Sequence, residues 1–297
     1  MSYDVIIIGG SYAGLAAGLQ LARARRRVLV VDAGMRRNRF AGASHGFLTQ
    51  DGTPAADIAA KGRAQLIAYD TVEWVSGQVT HAQATAQGFR VSIGAAERQV
   101  TARRLILALG VKDELPPVPG LEERWGKSVF HCPYCHGYEL DRGRIGVLAT
   151  SPKSIHHALM LPDWGATTFF LNNAFMPDPE QREQLQRRGV IVDDGTVEHL
   201  DGEGATLVMR DGRIVPLDGL FVMPRTSIAS PIAEQLGCAF DEGPTGAVIR
   251  TDAMKATSVA GVFACGDAAR MAGSVTLAVG DGAMAGMAAH QSLIFEA

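Results

Sequence analysis

The chain has 297 residues, 47% hydrophobic and 20% charged, with a formal net charge of −3. That length exceeds one ordinary core and predicts two domains, and a near-neutral balance without a basic block argues against nucleic acid as a partner. No apolar run approaches the ~20 residues of a membrane span, Met1 leads directly into a strand-like segment with no room for a signal peptide, and few cysteines fit a reducing cytoplasm.

Tyr3-Asp4-Val5-Ile6-Ile7-Ile8 is a β-branched run of the kind buried on both faces of a parallel sheet. Gly9-Gly10-Ser11-Tyr12-Ala13-Gly14 follows, then a helical pattern over 15–24 and a second strand over 28–31 that ends in Asp32 and Ala33. Strand, glycine turn and helix together bring backbone amides to a pyrophosphate, and an acid ~20 residues on binds a ribose hydroxyl. Ser11 stands where the pattern has its second glycine, a mild departure because serine is small. Residues 36–51 lose periodicity; Arg23 to Arg27 and Arg36 to Arg39 are short basic runs, the first read as a solvated helix end. Within this stretch His45-Gly46-Phe47-Leu48 is open to two readings, an ordinary surface loop or a cover over a bound ring. Helical spacing returns over 57–69, short strands split by Gly77, Gly88 and Gly94 are expected over 72–79, 89–93 and 99–101, and Leu105-Ile106-Leu107-Ala108-Leu109-Gly110 is another buried strand ending in glycine. Leu115-Pro116-Pro117-Val118-Pro119-Gly120 then reads as a stiff crossing between domains.

The stretch His131-Cys132-Pro133-Tyr134-Cys135-His136-Gly137-Tyr138-Glu139 carries the chemistry. Two cysteines at this spacing can close a small disulfide and tend to lower one thiol pKa, and the flanking histidines exchange protons near neutral pH. A zinc knuckle is the rival reading, but Cys238 and Cys265 stand far off with no Cys or His beside them. A second strand–helix–strand unit follows, with strands over 144–149 and 167–171 and a helix over 154–164. Its turn holds Ala149, Ser151 and Ser154 where the first unit has glycines and alanine, and its second strand ends in Asn172-Asn173, with neither acid nor arginine for a nucleotide ribose. Lys153 is open to two readings, a reach to a phosphate or, the favoured one, a solvated lysine at a helix start. Short strands with turns at Gly195, Gly202 to Gly204 and Gly212 occupy 188–223, and the chain crosses back around 224–241. Near the end, Thr257-Ser258-Val259-Ala260-Gly261-Val262-Phe263-Ala264-Cys265-Gly266-Asp267 places a carboxylate at a strand end, and a small-residue helix over 274–295 points its N-terminus, near Val275 and Thr276, beyond it.

On these three motifs the chain resembles the thioredoxin reductase group of FAD-dependent pyridine nucleotide-disulfide oxidoreductases, along nearly its whole length. The resemblance implies an α/β fold of two Rossmann-like, three-layer β/β/α nucleotide-binding domains. The FAD domain would comprise 1–111 and 242–297, with a domain of 112–241 carrying Cys-x-x-Cys inserted in it. It implies FAD at Gly9, Ser11, Tyr12, Ala13, Gly14, Asp32, Ala33, Gly110, Gly266, Asp267, Val275 and Thr276, and no metal. It also implies that Cys135 lies near the flavin while Cys132 attacks the partner, that His136 is the acid–base group with His131 as second choice, and that the chain is a homodimer whose inserted domain can rotate. Three departures stand out: His136 where the group has an acid, Ala108-Leu109-Gly110 at the strand end, and the missing NADPH glycines and arginines. Cys-x-x-Cys-His-Gly-Tyr-Glu is closer to the branch of dithiol oxidases that close disulfides in gliotoxin- and holomycin-type compounds with FAD and oxygen. The expected substrate is a small dithiol or disulfide, or a thioredoxin-like protein. The alternatives are an NADPH- or ferredoxin-dependent reductase and a flavin redox sensor without turnover.

Overall fold

In the computed structural model, which describes residues 2–295, β1 (Ser2–Ile8) lies at the centre of a first sheet with its β-branched side chains buried on both faces. The glycine turn leads into α1 (Tyr12–Arg23), and the chain returns as β2 (Val28–Asp32), parallel to β1. After α2 (Ala55–Ile67) comes β3 (Val72–Ser76), parallel to β2. The split expected at Gly77 is present: β4 (Val79–Thr85) starts an antiparallel meander with β5 (Gly88–Ile93) and β6 (Arg98–Leu107). The end of β6 pairs in parallel with β1, so one strand serves both the meander and the parallel sheet.

β7 (Val111–Glu114) leaves this unit. The inserted unit opens with β8 (Val129–Phe130) and α3 (Pro133–His136), a single turn that starts at Cys132 with proline at its first position. β9 (Arg142–Leu148) and β10 (Gly165–Phe170) flank α4 (Ile155–Met160). That helix is shorter than the expected 154–164, because Pro152 and Pro162 confine both ends to 3-10 turns. α5 (Pro179–Arg187) is held by a capping box between Asp178 and Gln181 and precedes β11 (Ile191–Asp193). β12 (Val197–Asp201), β13 (Thr206–Met209) and β14 (Ile214–Val215) form a second small meander, and β15 (Gly219–Val222) completes a five-stranded parallel sheet in the order β11-β10-β9-β15-β8.

β16 (Arg225–Ile228) pairs antiparallel with β7, so the two crossings form one ribbon between the units. Beyond it, α6 (Ile232–Gln235) buries Ile232 and Ala233 with Cys238 in the first unit's core, so residues 232–238, placed by the sequence reading in the inserted domain, pack with the first. The hairpin of β17 (Phe240–Glu242) and β18 (Ala247–Ile249) follows, and β19 (Val262–Ala264) returns to the first sheet beside the end of β6. α7 (Val275–Phe295) closes the chain. Each unit is thus a parallel sheet with helices on one face and a meander on the other, which is the three-layer fold expected. Among the described residues, no helix is long and apolar enough to cross a membrane.

α1 and α7 approach closely because glycine and alanine line their contact. A Cβ at Gly282 would lie 2.0 Å from the Ala13 carbonyl oxygen, whereas one at Gly280 would meet nothing within 4 Å. Overpacking such a contact typically costs ~1–3 kcal/mol, while alanine for glycine in an open helix position gains ~0.5–1 kcal/mol. Thermal denaturation is therefore expected to show a lower Tm for Gly282→Ala and an equal or higher one for Gly280→Ala. A shift of both in the same direction would contradict this packing.

Candidate active site

The first unit's turn is shaped to receive a phosphate group. Gly9 has φ +105°, and a Cβ at Gly14 would stand 1.9 Å from the Gly9 carbonyl oxygen, so the strand-to-helix turn is as tight as the chain permits. Ser11 occupies the N-cap of α1 without a side-chain capping bond, so the first amides of α1, from Tyr12, Ala13 and Gly14, are not taken by a cap. Asp32, with Ala33 beside it, ends β2, and its Oδ1 accepts from Gly10 N at 3.1 Å. A Cβ on Gly266 would touch Cβ of Ala13 at 3.0 Å, which puts the β19 end directly beside the turn. At the start of α7, Ser274 Oγ accepts from Leu277 N. Among the described residues the amides of Val275 and Thr276 have no acceptor, and the Thr276 hydroxyl donates to the Gly46 carbonyl. Free amides, a strand-end carboxylate and a glycine-lined cradle are the donor set a dinucleotide takes, so these residues fit FAD.

Gly110 follows the end of β6, where the Ala108 carbonyl oxygen would lie 2.1 Å from a Cβ at Gly9, and its own carbonyl accepts from Ala229 N at the head of the ribbon. Asp267 faces a residue the sequence reading passed over. Arg37 donates from Nε and Nη2 to both oxygens of Asp113 in β7, at 3.0 and 2.5 Å, and from Nη1 to Asp267 Oδ2 at 2.9 Å. Burial opposes the charge of Arg37, but its hydrogen bonds to Asp113, followed by the charges of Asp113 and Asp267, hold its pKa above the ordinary value. Nearby, Asn38 Nδ2 donates to the Tyr12 hydroxyl at 3.0 Å. Within the basic run 36–39, Arg37 thus joins β7 to the residues just past β19.

The second half of the site is the Cys-x-x-Cys turn. Cys132 and Cys135 form a disulfide across 5.3 Å between their Cα atoms. The thiolates a zinc knuckle would use are thus joined to each other, and among the described residues no three His, Cys, Asp or Glu side chains gather to hold a metal. Both sulfur-bearing residues are half-buried, with Tyr134 and Tyr138 exposed beside them. His136 stacks on Phe130 with ring centroids 4.4 Å apart. Burial lowers its pKa, Glu139 opposes this and His45 adds to it, so the ring is neutral at pH 7 and able to take a proton. His45, the loop histidine of the first unit, is 3.2 Å from Glu139 Oε1 and 3.7 Å from Asp51 Oδ1. His131 is farther inside. Burial, then the Arg37 charge, lowers its pKa against the pull of Asp113 and Asp267, and its Nδ1 has no partner among the described residues. The cysteine turn therefore faces the edge of the first unit that carries Arg37, Asp113 and Asp267. Cys238 and Cys265 are buried away from this chemistry, and burial raises both thiol pKa values, that of Cys265 to about 12.

Two nucleotide-type units, the second bearing a disulfide turned toward the first, define a flavin-type disulfide oxidoreductase. The model of the pyridine nucleotide-disulphide oxidoreductases matches residues 3–282, and the chain belongs to that family, in its thioredoxin reductase-like group of FAD-dependent enzymes with a redox-active disulfide. It is 32% identical to the thioredoxin reductase tcpT of Claviceps purpurea, over 98% of this chain and 94% of that protein. An oxidoreductase from Agrobacterium tumefaciens shares its fold at a TM-score of 0.97 with 58% identity and full coverage of both chains. The structure of HlmI matches at a TM-score of 0.91 with 36% identity, covering 99% of this chain and 93% of that one.

Burial and repulsion from His131 and His156 push His157, on α4, down to about 3. The unfolded chain takes up that proton near pH 6.5. Between these values the unfolded state binds more protons, so stability present above about pH 6.5 is lost as the pH falls toward 3. Urea unfolding of His157→Phe is expected to show a pH slope shallower by up to ~1.4 kcal/mol per pH unit between about pH 6 and pH 4. An unchanged slope would contradict the buried neutral imidazole.

Proposed function

We propose that this protein is an FAD-dependent dithiol oxidase that closes disulfides in small dithiols and draws no electrons from NADPH. The observation that carries this reading is the state of the second unit's nucleotide turn. Ser154 Oγ accepts from Thr150 N, the Thr150 hydroxyl donates to the Met223 carbonyl, and Lys153 Nζ donates to the Pro244 carbonyl at 2.7 Å. The polar groups that would meet a nucleotide phosphate are spent on the chain itself, and Ala149 and Ser151 replace the glycines that would let it approach.

The roles then follow from the residues. A substrate thiolate attacks Cys132 Sγ and breaks the bond to Cys135, which leaves as a thiolate. The second substrate thiol attacks the substrate sulfur of the mixed disulfide and frees Cys132, so the substrate is oxidised and the cysteine pair reduced by two electrons. His136, neutral and stacked on Phe130, takes the proton from the substrate thiol. FAD, held by the α1 turn, Asp32, Asp267 and the amides of Val275 and Thr276, would supply the two-electron acceptor that reoxidises the pair and passes the electrons to oxygen. The exposed side chains of Leu277, Met287, Ile294 and Phe295 on α7 offer apolar surface for the homodimer that the resemblance implies, and a thiol-reducing cytoplasm is the compartment that would present the substrate.

Anaerobic mixing of the FAD-loaded protein with a small dithiol, NADPH and NADH in turn tests the reading through flavin absorbance. Bleaching by the dithiol alone is expected; fast bleaching by NADPH would replace the proposal with a reductase. In Cys135→Ser, FAD is expected to stay bound while dithiol bleaching slows by at least ~10³-fold. Unaltered bleaching would remove Cys135 from the mechanism.

A further inference from the structure

On α7, Asp281 is a buried carboxylate that takes no part in the thiol chemistry. It is 5% exposed, and its Oδ1 accepts both from Lys255 Nζ at 2.9 Å and from Arg270 Nη1 at 2.8 Å. The two cations come from either side of β19 in the chain. Lys255, in the turn before β19, has φ +66°, a left-handed conformation that costs a lysine free energy, and its carbonyl accepts from Ala264 N in β19. Arg270 follows the 3-10 turn 266–269. The buried thiol of Cys265 feels the cluster: after burial itself, Asp281 raises its pKa and Lys255 lowers it. A carboxylate shared by two cations is thus placed directly behind Gly266-Asp267, and its loss would leave both cations uncompensated.

From Arg270 the contact runs on to Asp267. Arg270 Nε donates to the Ala272 carbonyl at 3.4 Å, so this one side chain ties the 270–274 loop to α7. Gly273, in that loop, lies against the Asp267 carboxylate: a Cβ there would stand 2.6 Å from Oδ1, 2.8 Å from Cγ and 2.9 Å from Oδ2. Near-equal distances to the three atoms put Gly273 over the face of the group. Arg37 Nη1 occupies Oδ2 from the edge, so the Oδ1 edge is what remains for a hydroxyl of the cofactor's sugar chain. We infer that Asp281 is a positioning residue for FAD. Through Arg270 it holds the 270–274 loop on the face of Asp267, which keeps water off that face and leaves the Oδ1 edge to meet the cofactor. Lys255 anchors Asp281 on the β19 side, so the loop and the strand end keep one spacing. The inference rests on FAD lying in the first unit's turn with Asp267 at its sugar chain, and it holds for an oxidase and a reductase alike.

The test follows FAD release from the full-length holoenzyme after dilution, read as the rise of flavin fluorescence. Release is expected to be ~10-fold faster in Asp281→Asn and in Arg270→Gln than in the wild type, as for loss of a hydrogen bond to a charged group. The Arg270 side chain is partly exposed, so the second variant keeps the test open should the first fail to fold. In an Asp267→Asn background, Arg270→Gln is expected to change release by less than ~2-fold, because the loop then has no carboxylate to position. An ion pair with a merely structural role would speed release by the same ~10-fold in both backgrounds, and that additivity would overturn the inference. Release at the wild-type rate in both single variants would overturn it too. If Asp267→Asn alone released FAD at the wild-type rate, the placement of the cofactor at Asp267 would be defeated instead, so the two failures are distinguishable.

Discussion

One guanidinium between two carboxylates ties the root of the ribbon to the first unit. Arg37 joins Asp113, on the ribbon that leads to the inserted unit, to Asp267, just past the end of β19. Asp113 is nearly buried, while the side chains of Arg37 and Asp267 are partly exposed. Loss of one partner therefore falls between the ~0–1 kcal/mol of exposed pairs and the ~3–5 kcal/mol of fully buried ones. The electrostatics of the neighbourhood follow from that joint, since Arg37 helps to keep His131 neutral and His131 adjoins the cysteine turn.

Around this joint, each unit supplies what its packing permits. In the first, small residues let α1 and α7 touch backbone to backbone, which brings the start of α7, the β19 end and the glycine turn to one edge. In the second, the same strand–helix–strand frame survives with its turn filled by hydroxyls, and the chemistry has moved to the cysteine turn at the end of β8. His136 on that turn is kept neutral by burial, a state in which it accepts protons and does not donate them. An acid at that position would be charged and poorly placed against the ring of Phe130.

Much of this is legible in the residues alone. β-branched runs and glycines at fixed offsets are local signals, so β1, α1, β2, the cysteine turn and the β19 end can be read directly, as can the three-layer plan. The joint cannot. Arg37 and Asp113 are 76 positions apart, and nothing in a basic run or in an acid before prolines says that they meet. Glu139 is visible beside the cysteines, but its pairing with His45 depends on the placement of two units. α5 left a local sign that periodicity does not register, the box of Asp178 and Gln181. The assignment of 232–238 to the first unit is tertiary too: so short a helix carries no period, and only its burial against the first meander shows where it belongs.

The central claim is that the Cys132–Cys135 pair exchanges electrons with a flavin held by the first unit. The most direct measurement is a crystal structure of the FAD-loaded chain. The account predicts Cys135 Sγ in van der Waals contact with the isoalloxazine ring, ~3.5–4 Å away. Both sulfurs well beyond that reach in every arrangement of the units would contradict it.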